Sequence, residues 1–94
     1  MLTWNVTYHC KPGQREAFYE VLKDLGVRAN SMGEAGCRQY DYFFSAQDPD
    51  VLLLVESWTA PEFQQAHCET EIFAALQAKK AEYVDYTTID KFNF

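Results

Sequence analysis

The sequence has few cysteines and histidines, and they are not spaced as metal ligands. Its three cysteines form no CxxC pair, and each of its two histidines, His9 and His67, directly precedes a cysteine. Adjacent residues of a strand point to opposite faces, so we expect no metal site. The odd number of cysteines and the lack of a leader-like segment after Met1 predict a reduced, cytoplasmic protein.

Long apolar runs and an excess of positive charge are also missing. No apolar run reaches the roughly 18 residues that a membrane-spanning helix needs. Eight Lys and Arg stand against fourteen Asp and Glu, which gives a formal net charge of −6. Such a balance disfavours binding to phosphate backbones and anionic lipids. We therefore expect neither nucleic acid nor a membrane as a partner.

Aromatic residues, in contrast, are abundant. Seven Phe, six Tyr and two Trp occur among 94 residues, and 48% of the chain is hydrophobic. This composition predicts a folded chain, with one domain over residues 1–94. A chain of this size buries roughly 60–65% of its unfolded surface, so association with a second copy would add to a small core.

The apolar pattern predicts four strands and two helical regions. The predicted elements are a strand Leu2–Cys10, a helix from Gln14 to Met32, strands Cys37–Ser45 and Val51–Ser57, a helix from a Thr59/Glu62 capping box to about Cys68, a helix capped by Thr70 and ending near Lys79–Lys80, and a strand from Tyr83 onward. This βαββαβ order predicts a ferredoxin-like α+β sandwich, in which helices cover one face of a four-stranded antiparallel sheet. The segment Val51–Val55 is apolar at both its odd and its even positions, which point to opposite faces of the sheet. We therefore expect another subunit to cover the face that the helices leave open.

The segment ESWTAPEFQQAH, residues 56–67, contains the side chains best suited to acid–base chemistry. Phe63 and His67 are spaced i, i+4 on one helix face, which predicts that His67 packs towards the sheet. Glu56 and Trp58 share a parity with two leucines, but parity alone does not assign the face. A buried Glu56 would have a raised pKa. From the residues alone, His67 is either a general base or a core histidine at a helix end, and the structural interpretation is favoured.

Three stretches together resemble the antibiotic biosynthesis monooxygenase domain family, in its quinol monooxygenase-like form. They are KPG at residues 11–13, EAGCRQY at 34–40, and DPDVLLLVESWTAPEFQQAH at 48–67, which contain an E-x-G-C-x-x-Y element and an E-x-W element followed by a histidine. The resemblance implies a homodimer of ferredoxin-like subunits whose sheets form a dimeric α+β barrel. It also implies a pocket between sheet and helices in each subunit.

The resemblance further implies oxygenation of a small phenol or quinol by molecular oxygen, without metal or other cofactor. His67 would accept the substrate's proton. The residues expected to bind the substrate are Trp58, Phe63, Phe73, Tyr40, Tyr42, Asn5 and Glu56.

The sequence also departs from its apparent relatives. Ile72 stands where quinol-oxidising relatives carry a second histidine, and Gln77 stands where haem-degrading relatives carry an iron ligand, so haem is not expected. The leading hypothesis is a cofactor-independent monooxygenase. The alternatives are a non-oxidative isomerase or lyase acting on a small carbonyl compound, and a non-catalytic dimeric ligand-binding protein.

Overall fold

The computed structural model describes residues 1–94, which form one antiparallel sheet and four helices. The elements are β1 (Leu2–Cys10), α1 (Arg15–Leu25), α2 (Val27–Met32), β2 (Cys37–Phe44), β3 (Val51–Trp58), α3 (Pro61–His67), α4 (Glu71–Tyr83) and β4 (Val84–Asn93). The strand order is β2-β3-β1-β4. This is the predicted ferredoxin-like α+β arrangement.

The core lies between the helices and one face of the sheet. On β1 the residues Val6 and Tyr8 are buried, and they lie opposite Leu54 and Leu52 of β3. The helices contribute further buried side chains to this layer, namely Phe18, Leu22, Val27 and Leu76. Because side chains alternate along a strand, the odd-numbered residues of β1 point to the opposite face, which no helix covers.

Gly26 divides the predicted helix over residues 14–32 into α1 and α2. Its φ of 69° is left-handed, and its N–H bonds to the carbonyls of Leu22 and Lys23, which closes α1. The Gly26 carbonyl then accepts the Asn30 N–H at 3.0 Å as α2 begins. The prediction of one continuous helix was therefore wrong. It arose because the apolar period continues through the break at Gly26. Only glycine adopts such a backbone conformation at little cost.

The capping prediction was wrong for the start of α3 and is confirmed for the start of α4. Thr59 does not cap α3: its N–H donates to the Gly36 carbonyl at 2.8 Å, and Ala60 is the residue that precedes the helix. Thr70 does cap α4, since its Oγ1 accepts the Phe73 N–H at 3.2 Å. The helix α4 continues to Tyr83, beyond the predicted end at the lysine pair.

None of the four helices combines the length and the hydropathy required to cross a lipid bilayer.

Gly36 joins the α2–β2 connection to α3 by close contact, and this gives a first testable prediction. Its φ is 79°, and a methyl group there would collide with the Phe63 side chain. We expect Gly36→Ala to lower the free energy of unfolding by roughly 2–4 kcal/mol, from left-handed strain plus overpacking. Urea denaturation measures the change.

Gly13→Ala is the matched control, because Gly13 has a φ of 76° but no neighbouring atom within 4 Å of the added methyl. Gly13→Ala should lower the free energy of unfolding only by the cost of the left-handed backbone conformation, about 1–2 kcal/mol. Equal losses for the two variants would contradict the close contact between Gly36 and Phe63.

Candidate active site

His67 is the last residue of α3 and is held in a cage of aromatic rings. Its side chain is 2% exposed. The imidazole centroid lies 5.0 Å from Trp58, 5.4 Å from Phe73 and 5.5 Å from Tyr40. The predicted orientation of His67 towards the sheet is confirmed, and the packing leaves the ring little freedom to rotate.

A carboxylate orients this imidazole. Nδ1 of His67 lies 2.7 Å from Oε1 of Glu34, and the other carboxylate oxygen, Oε2, accepts Nδ2–H of Asn30 at 2.8 Å. An ionised carboxylate only accepts hydrogen bonds, so Nδ1 carries the hydrogen. In the neutral ring, Nε2 then has a free lone pair. Nε2 is buried and has no hydrogen-bond partner within the chain, which is uncommon for a buried polar atom.

Glu56 is buried beside this histidine. It is 4% exposed, and its Oε1 accepts Nε1–H of Trp58 at 3.0 Å. Burial raises the pKa of the Glu56 carboxyl, an effect that the Trp58 hydrogen bond and the nearby His67 only partly offset. Glu56 therefore lies on the helix-covered face, and it keeps its proton to a higher pH than an ordinary glutamate.

A small cavity connects these groups. It encloses about 90 Å³ and is lined by residues that include Trp4, Tyr40, Glu56, His67, Phe73 and Lys80. Ligand pockets usually measure roughly 300–1,000 Å³, so the ligand should be small and side chains should move as it enters. A larger groove, of about 240 Å³, lies beside α1 and α2, but neither a histidine nor a carboxylate lines it.

The structure separates three of the predicted binding residues from this cavity. Tyr42 lines the groove beside α1 and α2, although its ring contacts Tyr40. Phe63 is 37% exposed and borders a surface depression on the Glu34 side of His67. Asn5 lies between Trp4 and Val6 on β1 and therefore points to the uncovered face of the sheet. Asn5 therefore does not line this cavity.

The other predicted residues lie together. Tyr40, Glu56, His67 and Phe73 line the cavity, and Trp58 packs directly behind His67. No group of three or more His, Cys, Asp or Glu side chains is arranged to hold a metal ion.

Sequence reasoning missed Glu34 and Trp4. Glu34 begins the EAGCRQY element, but nothing in the element alone pairs it with a histidine 33 positions away. Trp4 shares the parity of Val6 and Tyr8, which was a usable signal for its place on the covered face.

The raised pKa of Glu56 predicts a pH-dependent contribution to stability. The folded state holds this proton above the ordinary carboxyl pKa of about 4.3, so the unfolded state binds fewer protons in that range. The free energy of unfolding therefore falls as pH rises from about 4.3 through the raised value. Glu56→Gln removes this contribution, and its urea-unfolding free energy should fall less with pH than that of the wild type. Parallel pH profiles for the two proteins would show that Glu56 titrates normally.

The chain is thus a small ferredoxin-like α+β protein whose helices and sheet enclose a histidine and a glutamate beside a small aromatic cavity. The chain belongs to the antibiotic biosynthesis monooxygenase family, whose model matches residues 1–79.

Solved structures show the same fold. A Bacteroides thetaiotaomicron protein of unknown function, described as a possible oxidoreductase, is 32% identical with a TM-score of 0.85, and the match covers 99% of this chain and 96% of that one. A Pseudomonas aeruginosa protein is 29% identical, with a TM-score of 0.89 over 99% and 92% of the two chains. A candidate antibiotic biosynthesis monooxygenase from Nitrosomonas europaea is 23% identical, with a TM-score of 0.92 over 100% and 98%, and shows similarity of fold alone. A comparison with curated proteins finds no significant match.

Proposed function

We propose that the protein is an oxygenase that acts on a small electron-rich phenol or quinol, with His67 as the base. The observation that carries the proposal is the buried, unpartnered Nε2 of His67, whose ring is oriented through Nδ1 by Glu34. An oriented imidazole with a free lone pair is suited to accept a hydroxyl proton near neutral pH. Membership of the monooxygenase family supports the same chemistry.

The proposed reaction needs no reductant besides the substrate. His67 Nε2 takes the hydroxyl proton, and the resulting anion gives one electron to dioxygen. The ring radical and superoxide combine to form a carbon–oxygen bond, and the peroxide takes the proton back from His67. Loss of the ring C–H proton then breaks the O–O bond, so the carbon becomes a carbonyl and the outer oxygen leaves as water. One quinol and one dioxygen thus give one hydroxyquinone and one water.

The remaining cavity groups support this sequence of steps. Below its raised pKa, Glu56 is a hydrogen-bond donor that stabilises the substrate anion as it forms. Tyr40 and Phe73 provide an apolar surface for the ring. Their rings also limit the water that reaches the anion and the radical.

Turnover under ¹⁸O-labelled dioxygen tests this function. One labelled atom should enter the organic product and the other should enter water. A product that carries no label would contradict an oxygenase.

The close approach of Glu56 and His67 also favours a second candidate, a non-oxidative isomerase or lyase. A proton shift next to a carbonyl needs one acid and one base in the same cavity, and a protonated Glu56 with His67 provides both. Such an enzyme would turn over without oxygen, so an anaerobic assay with small hydroxyketones separates it from the oxygenase. A non-catalytic binding protein would show binding without turnover in either atmosphere.

We also propose that a second copy of the chain covers the open face of the sheet. That face carries Val51, Leu53 and Val55 from β3, together with Phe43 and Phe92, which are 48% and 42% exposed. Exposed apolar side chains on an uncovered sheet face favour a symmetric partner. Sedimentation equilibrium tests this: a particle of two chains agrees with the proposal and a particle of one chain contradicts it.

The proposed cellular location is the cytoplasm. Cys10, Cys37 and Cys68 are free thiols. Unpaired thiols in a small domain are typical of a reducing compartment.

A further inference from the structure

Lys80 is a cation without a partner at the edge of the cavity. It lies in α4, lines the cavity and is partly buried. The protein's ion pairs involve Arg15, Lys23, Arg28 and His67, and none involves Lys80. Lys80 is also the only Lys or Arg among the side chains that line the cavity. An anionic ligand would supply its missing partner.

A second donor without an acceptor lines the same cavity. Nε1 of Trp4 is buried and has no hydrogen-bond partner. Trp4 lies opposite Glu56 on one side and Lys91 on the other, and the Lys91 ammonium stands 4.5 Å from the centre of its ring. The sheet surface beside the cavity therefore runs from Glu56 on β3, across the Trp4 indole, to Lys91 on β4.

The only acidic residue that lines the cavity is Glu56, and its Oε1 already accepts Nε1–H of Trp58. No carboxylate of the protein therefore accepts a hydrogen bond from Trp4 Nε1–H or pairs with the Lys80 ammonium. An unpaired lysine amid a net negative chain also creates a local positive potential, which selects a ligand by its charge.

We propose that the substrate carries an anionic group, a carboxylate in the simplest case, which binds the Lys80 ammonium and Trp4 Nε1–H while its phenolic hydroxyl lies at His67 Nε2. This inference rests on the proposed function for the phenolic part of the substrate. The anionic part follows from the two unpartnered donors and can be tested by binding alone.

The test is calorimetric titration under argon, where no oxygenation occurs. The two probes are hydroquinone and 2,5-dihydroxybenzoate, which share a ring and two hydroxyls and differ by one carboxylate. A hydrogen bond to a charged group contributes about 1.5–3 kcal/mol, so the wild type should bind the carboxylated probe roughly tenfold more tightly or better. Raising the ionic strength should reduce this preference.

Lys80→Gln should abolish the preference, whereas Lys79→Gln should retain it. The two variants remove the same charge from adjacent helix positions, but Lys79 is exposed and does not line the cavity. Equal affinities for the two probes in the wild type would overturn the proposal, and so would equal losses in the two variants. Lack of binding by both probes at millimolar concentrations would also overturn it. Binding with the expected preference, but without turnover in air, would leave this inference standing and reject the oxygenase.

Discussion

His67→Gln should lower the kcat of oxygen-dependent turnover by roughly 10²–10⁴-fold, which is the usual contribution of a positioned general base. The glutamine amide can still donate a hydrogen bond to Glu34, but it offers the substrate no basic nitrogen. It also fills more of the space between Trp58 and Phe73 than alanine does, so it separates chemistry from packing better than His67→Ala. Initial rates in air measure the effect, and circular dichroism confirms that the variant is folded.

His9→Gln is the matched control for this substitution. His9 is the other histidine, and it stacks on Tyr86 at 4.1 Å, on the uncovered face of the sheet. Its replacement should leave kcat within about twofold, the scale expected for a residue outside the site. A folded His67→Gln protein with wild-type kcat would show that His67 is only a core residue at a helix end.

Glu34→Gln should reduce kcat by roughly 10–10³-fold by changing the tautomer of His67, because carboxylates that hydrogen-bond an imidazole and orient it commonly have effects of that order or larger. Asn30 Nδ2–H donates to Oε2 of Glu34, so the oxygen of the new amide should remain at Asn30. Its NH₂ group then faces Nδ1 of His67 and donates to it. The proton moves to Nε2, which can no longer act as the base.

Nitrogen-15 NMR of the imidazole reads this tautomer directly. The chain has only two histidines, so His9→Gln assigns the His67 signals. The wild type should show a protonated Nδ1 and an unprotonated Nε2, and Glu34→Gln should show the reverse. Glu69→Gln removes the same charge two positions beyond His67, in an exposed residue without a side-chain hydrogen bond, and should change neither signals nor kcat. An unchanged tautomer in Glu34→Gln would reject the positioning role.

The sheet could be predicted from the sequence because its strands are marked by local chemistry. The strand β1 has the predicted bounds, and β3 differs from its prediction by one residue at Trp58. The break at Gly26 escaped prediction, since glycine is compatible with a helix and the apolar period continues across it. Thr59 has the spacing of a capping residue, but a hydrogen bond to Gly36, which is distant in sequence, takes precedence.

The parts of the candidate site that follow from residue spacing within one helix or strand could be predicted. The contacts between residues distant in sequence could not. Spacing on α3 indicated the inward direction of His67, and parity grouped Glu56 with Trp58. Parity cannot say which face the helices cover, so it did not show that Asn5 lies on the face away from the cavity. The Glu34–His67 hydrogen bond joins the α2–β2 connection to the end of α3, and only the folded backbone brings them together.

The most direct test of His67 as the base of an oxygenase is oxygen uptake by chelator-treated protein with hydroquinone and 2,5-dihydroxybenzoate, recorded for the wild type and for His67→Gln. We expect the wild type to consume one dioxygen per substrate, and the variant to show uptake close to the uncatalysed rate. Uptake that is equal in the two proteins, or absent in the wild type for both substrates, would contradict a His67-dependent oxygenase.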